Sequence, residues 1–136
     1  MASLIDTNIL IETERKRLDL ASHIAERENE EFFISVISVS ELLHGVHRAR
    51  DLVVKGKRAA SSERIISQFT VLEIDQFVAR THAALWATME ASGQMIGIHD
   101  LWLAATCVAH GLKMVTANVR EFNRVPNLIV ENWTAA

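Results

Sequence analysis

Phe32-Phe33-Ile34-Ser35-Val36-Ile37 is the stretch on which the fold turns. Apart from Ser35 its side chains are β-branched or aromatic, and apolar residues fall at odd and even positions alike. A strand with one wet face alternates apolar with polar residues, whereas a strand covered on both faces does not. The segment therefore reads as a buried strand of a parallel sheet. After it, Ser38 to Ala49 reads as a helix. Before it, Ser3-Leu4-Ile5 reads as a strand ending at Asp6, followed by a helical stretch from Asn8 to Leu20. Further out, Lys55-Gly56-Lys57 is expected to be a mobile connection, with a helix from Ala59 to Phe69 and a strand from Thr70 to Ile74. Asp75 should cap a helix that Gly93 stops, and a helix from Asp100 to His110 should end at Gly111. Lys113 to Thr116 and Leu128 to Val130 complete the strands. Alternation of this kind predicts a three-layer α/β/α sandwich with a central parallel sheet, as one domain over residues 1–136.

Composition agrees with that size. The 136 residues are 49% hydrophobic and 23% charged, with one Pro and 5 Gly, which is an ordinary globular balance. No apolar run approaches the roughly 20 residues of a membrane-spanning helix. The N-terminus shows no basic region leading into an apolar one, so no secretory signal is expected. A single cysteine, Cys107, leaves no intramolecular disulfide and no zinc–cysteine cluster, and a reducing cytoplasmic setting is expected. The net charge of −3 argues against a surface that grips nucleic acid all round. A local basic face remains open: Arg48, Arg50, Lys55, Lys57, Arg58 and Arg64 fall close together, opposed there by Asp51 and Glu63. By itself such a run reads as a solvated helix face.

Ligands of open α/β sheets bind outside the carboxyl ends of the strands. Asp6 ends the first strand, and Glu41 falls in the first turn of the helix after the second. Asp100 opens the helix before the fourth strand, and Thr116, Asn118 and Glu121 follow that strand. All map to one edge of the sheet. Each also has a plain structural reading. Asp6 could be an Asx-turn or N-cap, and Ser38-Val39-Ser40-Glu41 matches a capping box. Asp100 suits a first helical turn, and Asn118 suits a loop position with positive φ. Asp75, also at a strand end, is read as a cap with no chemistry. Jointly, however, clustered carboxylates repel and raise one another's pKa, a penalty that a hard divalent cation removes. Without a cysteine cluster, a close His pair with a third ligand, or a Gly-rich phosphate loop, the pattern points to metal-assisted phosphodiester hydrolysis.

Five segments resemble the motifs of PIN-domain nucleases, in order and over essentially the whole chain. They are Leu4-Ile5-Asp6-Thr7-Asn8, Ile37 to Gly45 around Glu41, Ile98 to Ala105 around Asp100, Val115 to Pro126, and Val130-Glu131-Asn132-Trp133. The resemblance is greatest to the VapC group, the toxins of type II toxin–antitoxin pairs. It implies a Mg²⁺- or Mn²⁺-dependent endoribonuclease, dimeric and restrained by a DNA-binding, VapB-like antitoxin. Asp6, Glu41 and Asp100 would be the core acidic ligands, with Glu121 as a further catalytic acid. Asn118 stands as a metal ligand where many PIN domains carry Asp, which weakens the case for a second ion. Thr7, Asn8 and Thr116 would orient the carboxylates. A metal-activated water would attack phosphorus in line, leaving 5′-phosphate and 3′-hydroxyl ends.

Arg48, Arg50, Lys55, Arg120 and Arg124 are the expected contacts to a structured RNA loop, with tRNA favoured. The rival reading is a catalytically weak regulatory module that acts as co-repressor with its antitoxin. His99 reads as a hydrogen-bonding loop residue, and His44 and His47 as surface or interface residues. Trp86, Trp102 and Met89 read as core or dimer packing, and Cys107 as a small buried hydrophobe.

Overall fold

The computed structural model describes residues 1–134. Five strands form one sheet in the order β3-β2-β1-β4-β5, and every neighbouring pair is parallel. They are β1 (Ser3–Ile5), β2 (Phe32–Ser35), β3 (Thr70–Leu72), β4 (Lys113–Val115) and β5 (Val130–Glu131). The helices are α1 (Thr7–Glu14), α2 (Leu20–Ala25), α3 (Val36–Arg48), α4 (Leu52–Ser67), α5 (Gln76–Ala91), α6 (Ile98–His110) and α7 (Val119–Phe122). No described helix is long and apolar enough to cross a membrane.

The short strands work because both faces are used. Leu4 and Met114 turn to one side, into a core with Val78, Leu85, Met89, Leu103 and Phe122. Their neighbours Ile5 and Val115 turn to the other, into a core with Ile9, Leu10, Ile34, Leu42 and Ile65. Period-two geometry thus feeds two apolar layers, one under α5 and α6 and the other under α1 to α4. The predicted sandwich is the observed one.

Several boundaries differ from the sequence reading. The strand from Phe32 stops at Ser35, where its pairing with Leu72 ends, and Val36-Ile37 already belong to α3. Ser35 is the N-cap, accepting the Ile37 N–H at 3.0 Å, so the Ser38–Glu41 capping box is not formed. Glu41 accordingly lies in the second turn of α3. The stretch from Asn8 to Leu20 is divided: α1 ends at Glu14, and Asp19 caps the separate α2 by accepting the Ser22 N–H. Lys55-Gly56-Lys57 is no connection. It lies inside α4, which begins behind the Asp51 cap. Asp75 caps α5 as read, accepting the Val78 N–H at 2.9 Å, and Gly111 closes α6 at φ +66.

The sheet order matters for the site. From β1 the chain moves outward through β2 to β3 on one side, and from β4 to β5 on the other. The connections therefore diverge at the β1–β4 pair, which opens a crevice at its carboxyl edge.

Candidate active site

Asp6 and Thr116 are the residues that directly follow β1 and β4, so the pairing of Ile5 with Val115 sets them side by side. The Thr116 hydroxyl donates to Asp6 Oδ2 at 2.7 Å and accepts the backbone N–H of Asn118 at 2.9 Å. Asn8 spans the same crevice, its side-chain Oδ1 accepting the Ala117 N–H at 3.3 Å. Asp6 occupies the N-cap position of α1, yet its side chain makes no capping bond. That carboxylate is held at the crevice instead.

Glu41 arrives from α3. Thr7 Oγ1 lies 2.7 Å from Glu41 Oε1 and 2.8 Å from Ser38 Oγ. With one hydrogen to give, the Thr7 hydroxyl satisfies the carboxylate by donating to it and the Ser38 hydroxyl by accepting from it. Asp100 arrives from the first turn of α6. Asp6, Glu41 and Asp100, with Thr7, Asn8, Ile11, Ser40, His44 and His99, line one pocket of about 610 Å³. Residues 6, 41 and 100 thus share a wall although most of the chain separates them.

On the far side of Asp100, Glu121 from α7 is in hydrogen-bond contact with the Asp100 carboxyl. Glu121 Oε1 also accepts the Gly97 N–H at 2.6 Å, and Oε2 accepts the Asn118 side-chain amide at 2.5 Å. Burial, then the charges of Asp6 and Glu121, push the pKa of Asp100 up to about 7, with Glu41 adding to the rise. Glu121 is held below its ordinary value, chiefly by the Gly97 amide. Asp6 is pushed up to about 6 by burial, with Glu41 and Glu121 adding to the rise and the Thr116 hydroxyl opposing it. Among the described residues no Lys or Arg lines this pocket; the cation-capable groups there are His44 and His99, and His99 Nδ1 lies 3.6 Å from Glu41 Oε2.

The donor set is oxygen-rich and carries excess negative charge, which fits a hard divalent cation that keeps several waters. Among the described residues no three His, Cys, Asp or Glu side chains close into a ready-made cage. The acids instead line an open groove, and Asp6, Glu41 and Asp100 are the groups able to hold an ion there.

The other sequence candidates are placed as follows. Asn118 sits at φ −92, not at positive φ, and its amide group is turned to Glu121. Arg48 lines a second pocket that adjoins the first. Arg50, Lys55 and Arg120 line neither pocket, and Arg124 donates to the Met95 carbonyl at 3.1 Å. Met89 is buried, Trp102 stacks on His82 at 3.5 Å, and Trp86 is half-exposed. Burial pushes the Cys107 thiol far up, as suits a core residue. His99 lies in the first turn of α6 rather than in a loop, and both it and His44 line the acidic pocket. His44 is exposed, as the surface reading expects, and its place at this pocket is what that reading did not include. Its spacing of three from Glu41, on one helix, was the available signal. Gly97 was also missed: a Cβ there would meet Asp100 Oδ2 at 3.4 Å and Glu121 Oε1 at 3.5 Å.

Comparison with known proteins agrees with the fold. The family described as PIN domain matches residues 3–128. The chain is 30% identical over 135 residues to "Ribonuclease VapC2" of Rickettsia felis, covering 98% of each protein. It is 31% identical over 133 residues to the "tRNA(fMet)-specific endonuclease VapC" of Salmonella typhimurium, covering 96% of each. Among solved structures, VapBC2 from Rickettsia felis bound to a promoter DNA fragment contains a chain that superposes with a TM-score of 0.89. That match has 27% identity and covers 98% of this chain and 99% of the other. The chain belongs to the PIN-domain family and, within it, to the VapC ribonucleases.

Proposed function

We propose that this chain is the toxin of a toxin–antitoxin pair: a single-domain endoribonuclease that needs Mg²⁺ or Mn²⁺ and hydrolyses a phosphodiester bond in a structured RNA loop. The observation that carries the reading is one pocket walled by Asp6, Glu41 and Asp100, with no Lys or Arg among its lining residues. Acids so placed are costly without a cation. Asp6, Glu41 and Asp100 would hold the ion. An ion bound there would supply Lewis acidity for activating a water and for offsetting charge on the phosphoryl oxygens.

The chain's own groups do the rest. Thr7 fixes Glu41, and Thr116 fixes Asp6, so both carboxylates meet the ion without rearrangement. Asp100, its pKa raised by burial and by the neighbouring acids, would have to be ionised to help hold the ion. Asn118 places a neutral amide where a carboxylate would add charge, so Asp100, Asn118 and Glu121 would hold a second ion less firmly than Asp6, Glu41 and Asp100 would hold the first. Arg48, Arg50, Lys55, Arg120 and Arg124 supply the positive charge for substrate phosphates. Since water is the nucleophile, the 2′-hydroxyl of RNA takes no part, and the products carry 5′-phosphate and 3′-hydroxyl ends.

The tRNA-specific name of the Salmonella relative supports a tRNA loop as substrate. The Rickettsia felis complex supports a VapB-like antitoxin as partner. A homodimer is the expected oligomer of the free toxin. A second reading is favoured by the promoter DNA in that complex and by the amide at position 118. In it the chain is a catalytically weak module that represses transcription together with its antitoxin. One experiment separates the two. Purified protein should cut RNA with Mg²⁺, stop in EDTA, and lose cleavage in Asp6→Asn, with cut ends in total RNA mapping to loops. Cleavage that survives either treatment would overturn the nuclease mechanism, and a wild type that cuts nothing would leave the co-repressor.

A further inference from the structure

The acidic pocket does not end at Glu41. Ile11, Glu41 and His44 also line a second pocket of about 330 Å³, which continues over α3 toward α1 and α4. Its other walls are Glu14, Arg15, Leu42, Gly45, Val46, Arg48, Arg58 and Ser62. The charge balance inverts along the groove: acids with no Arg line the first pocket, and three guanidinium groups against Glu14 and the shared Glu41 line the second. Arg15 lies at the C-cap of α1, Arg48 in α3 and Arg58 in α4, and none forms an ion pair with a described residue. Arginines that converge on a concavity, outnumber its carboxylates and pair with none of them suit an external anion.

Gly45 is an independent observation. It lies well inside α3, where glycine weakens a helix relative to alanine. A Cβ at that position would meet no protein atom within 4 Å, so internal packing does not require the glycine. The bare backbone faces the basic pocket, between His44 and Val46. An interior glycine with open space above it leaves room for the close approach of something outside the chain.

We infer that this pocket is a backbone-phosphate subsite for the RNA strand. Arg15, Arg48 and Arg58 hold a phosphate neighbouring the scissile one, and Gly45 forms the floor over which the sugar–phosphate chain runs. The inference rests on the nuclease reading and adds a direction to it: the strand leaves the acids across Glu41 and His44 toward the N-terminal half of α4. Glu14 opposes the phosphate and limits its affinity.

The test is RNA binding measured in EDTA, where nothing is cut, using a labelled single-stranded oligonucleotide over a range of salt. Arg48→Gln and Arg58→Gln should each weaken binding about three- to fivefold and flatten the log–log salt slope by about 0.7. Glu14→Gln should tighten binding. Gly45→Ala should raise the melting temperature while weakening binding, a pairing that simple loss of folding cannot produce. Unchanged affinity and slope in both arginine variants overturn the subsite, while Mg²⁺-dependent cleavage by the wild type would leave the nuclease reading intact. Arginine variants that keep RNA affinity but escape inhibition by the antitoxin also overturn it, because the pocket then belongs to a protein partner. A wild type that neither binds nor cuts RNA overturns both.

Discussion

Thr116 makes one hydroxyl serve two needs: it donates to Asp6 and accepts the amide of Asn118, and it is fully buried while doing so. Thr116→Val keeps the shape and removes both bonds. Asp6 then loses the group that opposes its raised pKa and also its orientation. Mg²⁺ affinity and cleavage should fall about 10–100-fold, read by metal titration of thermal unfolding and by RNA cleavage. Asn118 allows the opposite test. Asn118→Asp replaces a donor to Glu121 with a second carboxylate, so in EDTA the variant should melt below wild type. With Mg²⁺ the deficit should close, and the variant should respond to higher metal concentrations than wild type does. A deficit that persists in saturating Mg²⁺ would show that position 118 only braces Glu121. At this scale the sequence nominated the acids that the structure brings to one pocket, since acids after strands are readable without coordinates. It could not tell a carboxylate that caps from one that faces a pocket, because that depends on which hydroxyl comes across from another strand.

Elements show the same ambiguity from the other side. Asp6 and Asp75 each precede a helix and follow a strand, but Asp75 accepts the Val78 amide, whereas Asp6 makes no such bond. Asp75→Ala should cost about 1 kcal/mol of stability with cleavage per folded molecule unchanged. Loss of cleavage beyond the unfolded fraction would give Asp75 a role the structure does not show. The start of α3 explains why a capping pattern can mislead. Ser35 and Ser38 are both able to cap, but Ser38 is fully buried against Thr7, inside the helix that supports Glu41. The basic run misled similarly. Lys55-Gly56-Lys57 looks like a break because glycine between lysines has weak helix propensity, yet α4 runs through it behind the Asp51 cap. Tertiary packing of Ser62 and Ile65 outweighs that local cost.

For the whole molecule, the acidic crevice links folding to pH and to metal. Asp6 at about 6 and Asp100 at about 7 stand above the ordinary 3.8. Between those limits the folded chain binds more protons than the unfolded chain, so these two groups make stability fall as pH rises. In EDTA the melting temperature should drop from about pH 4.5 to about pH 7.5 more steeply for wild type than for Asp100→Asn. Mg²⁺ favours the ionised forms, so its stabilising effect should grow over the same interval and be small at the acid end. A Mg²⁺ effect independent of pH would place the ion away from these acids. The sequence alone determined the layers and the strand alternation, since apolar runs and helix periods are local and their burial follows from transfer out of water. It also nominated the acids, through their place after strands. Only the tertiary structure decided which of them meet. The divergence of the chain at β1 and β4, and the entry of α3 and α6 onto that edge, join residues 6, 41 and 100 into one wall and set an arginine-lined hollow beside it. Such proximity is a property of strand order and helix docking, which no local stretch of sequence contains.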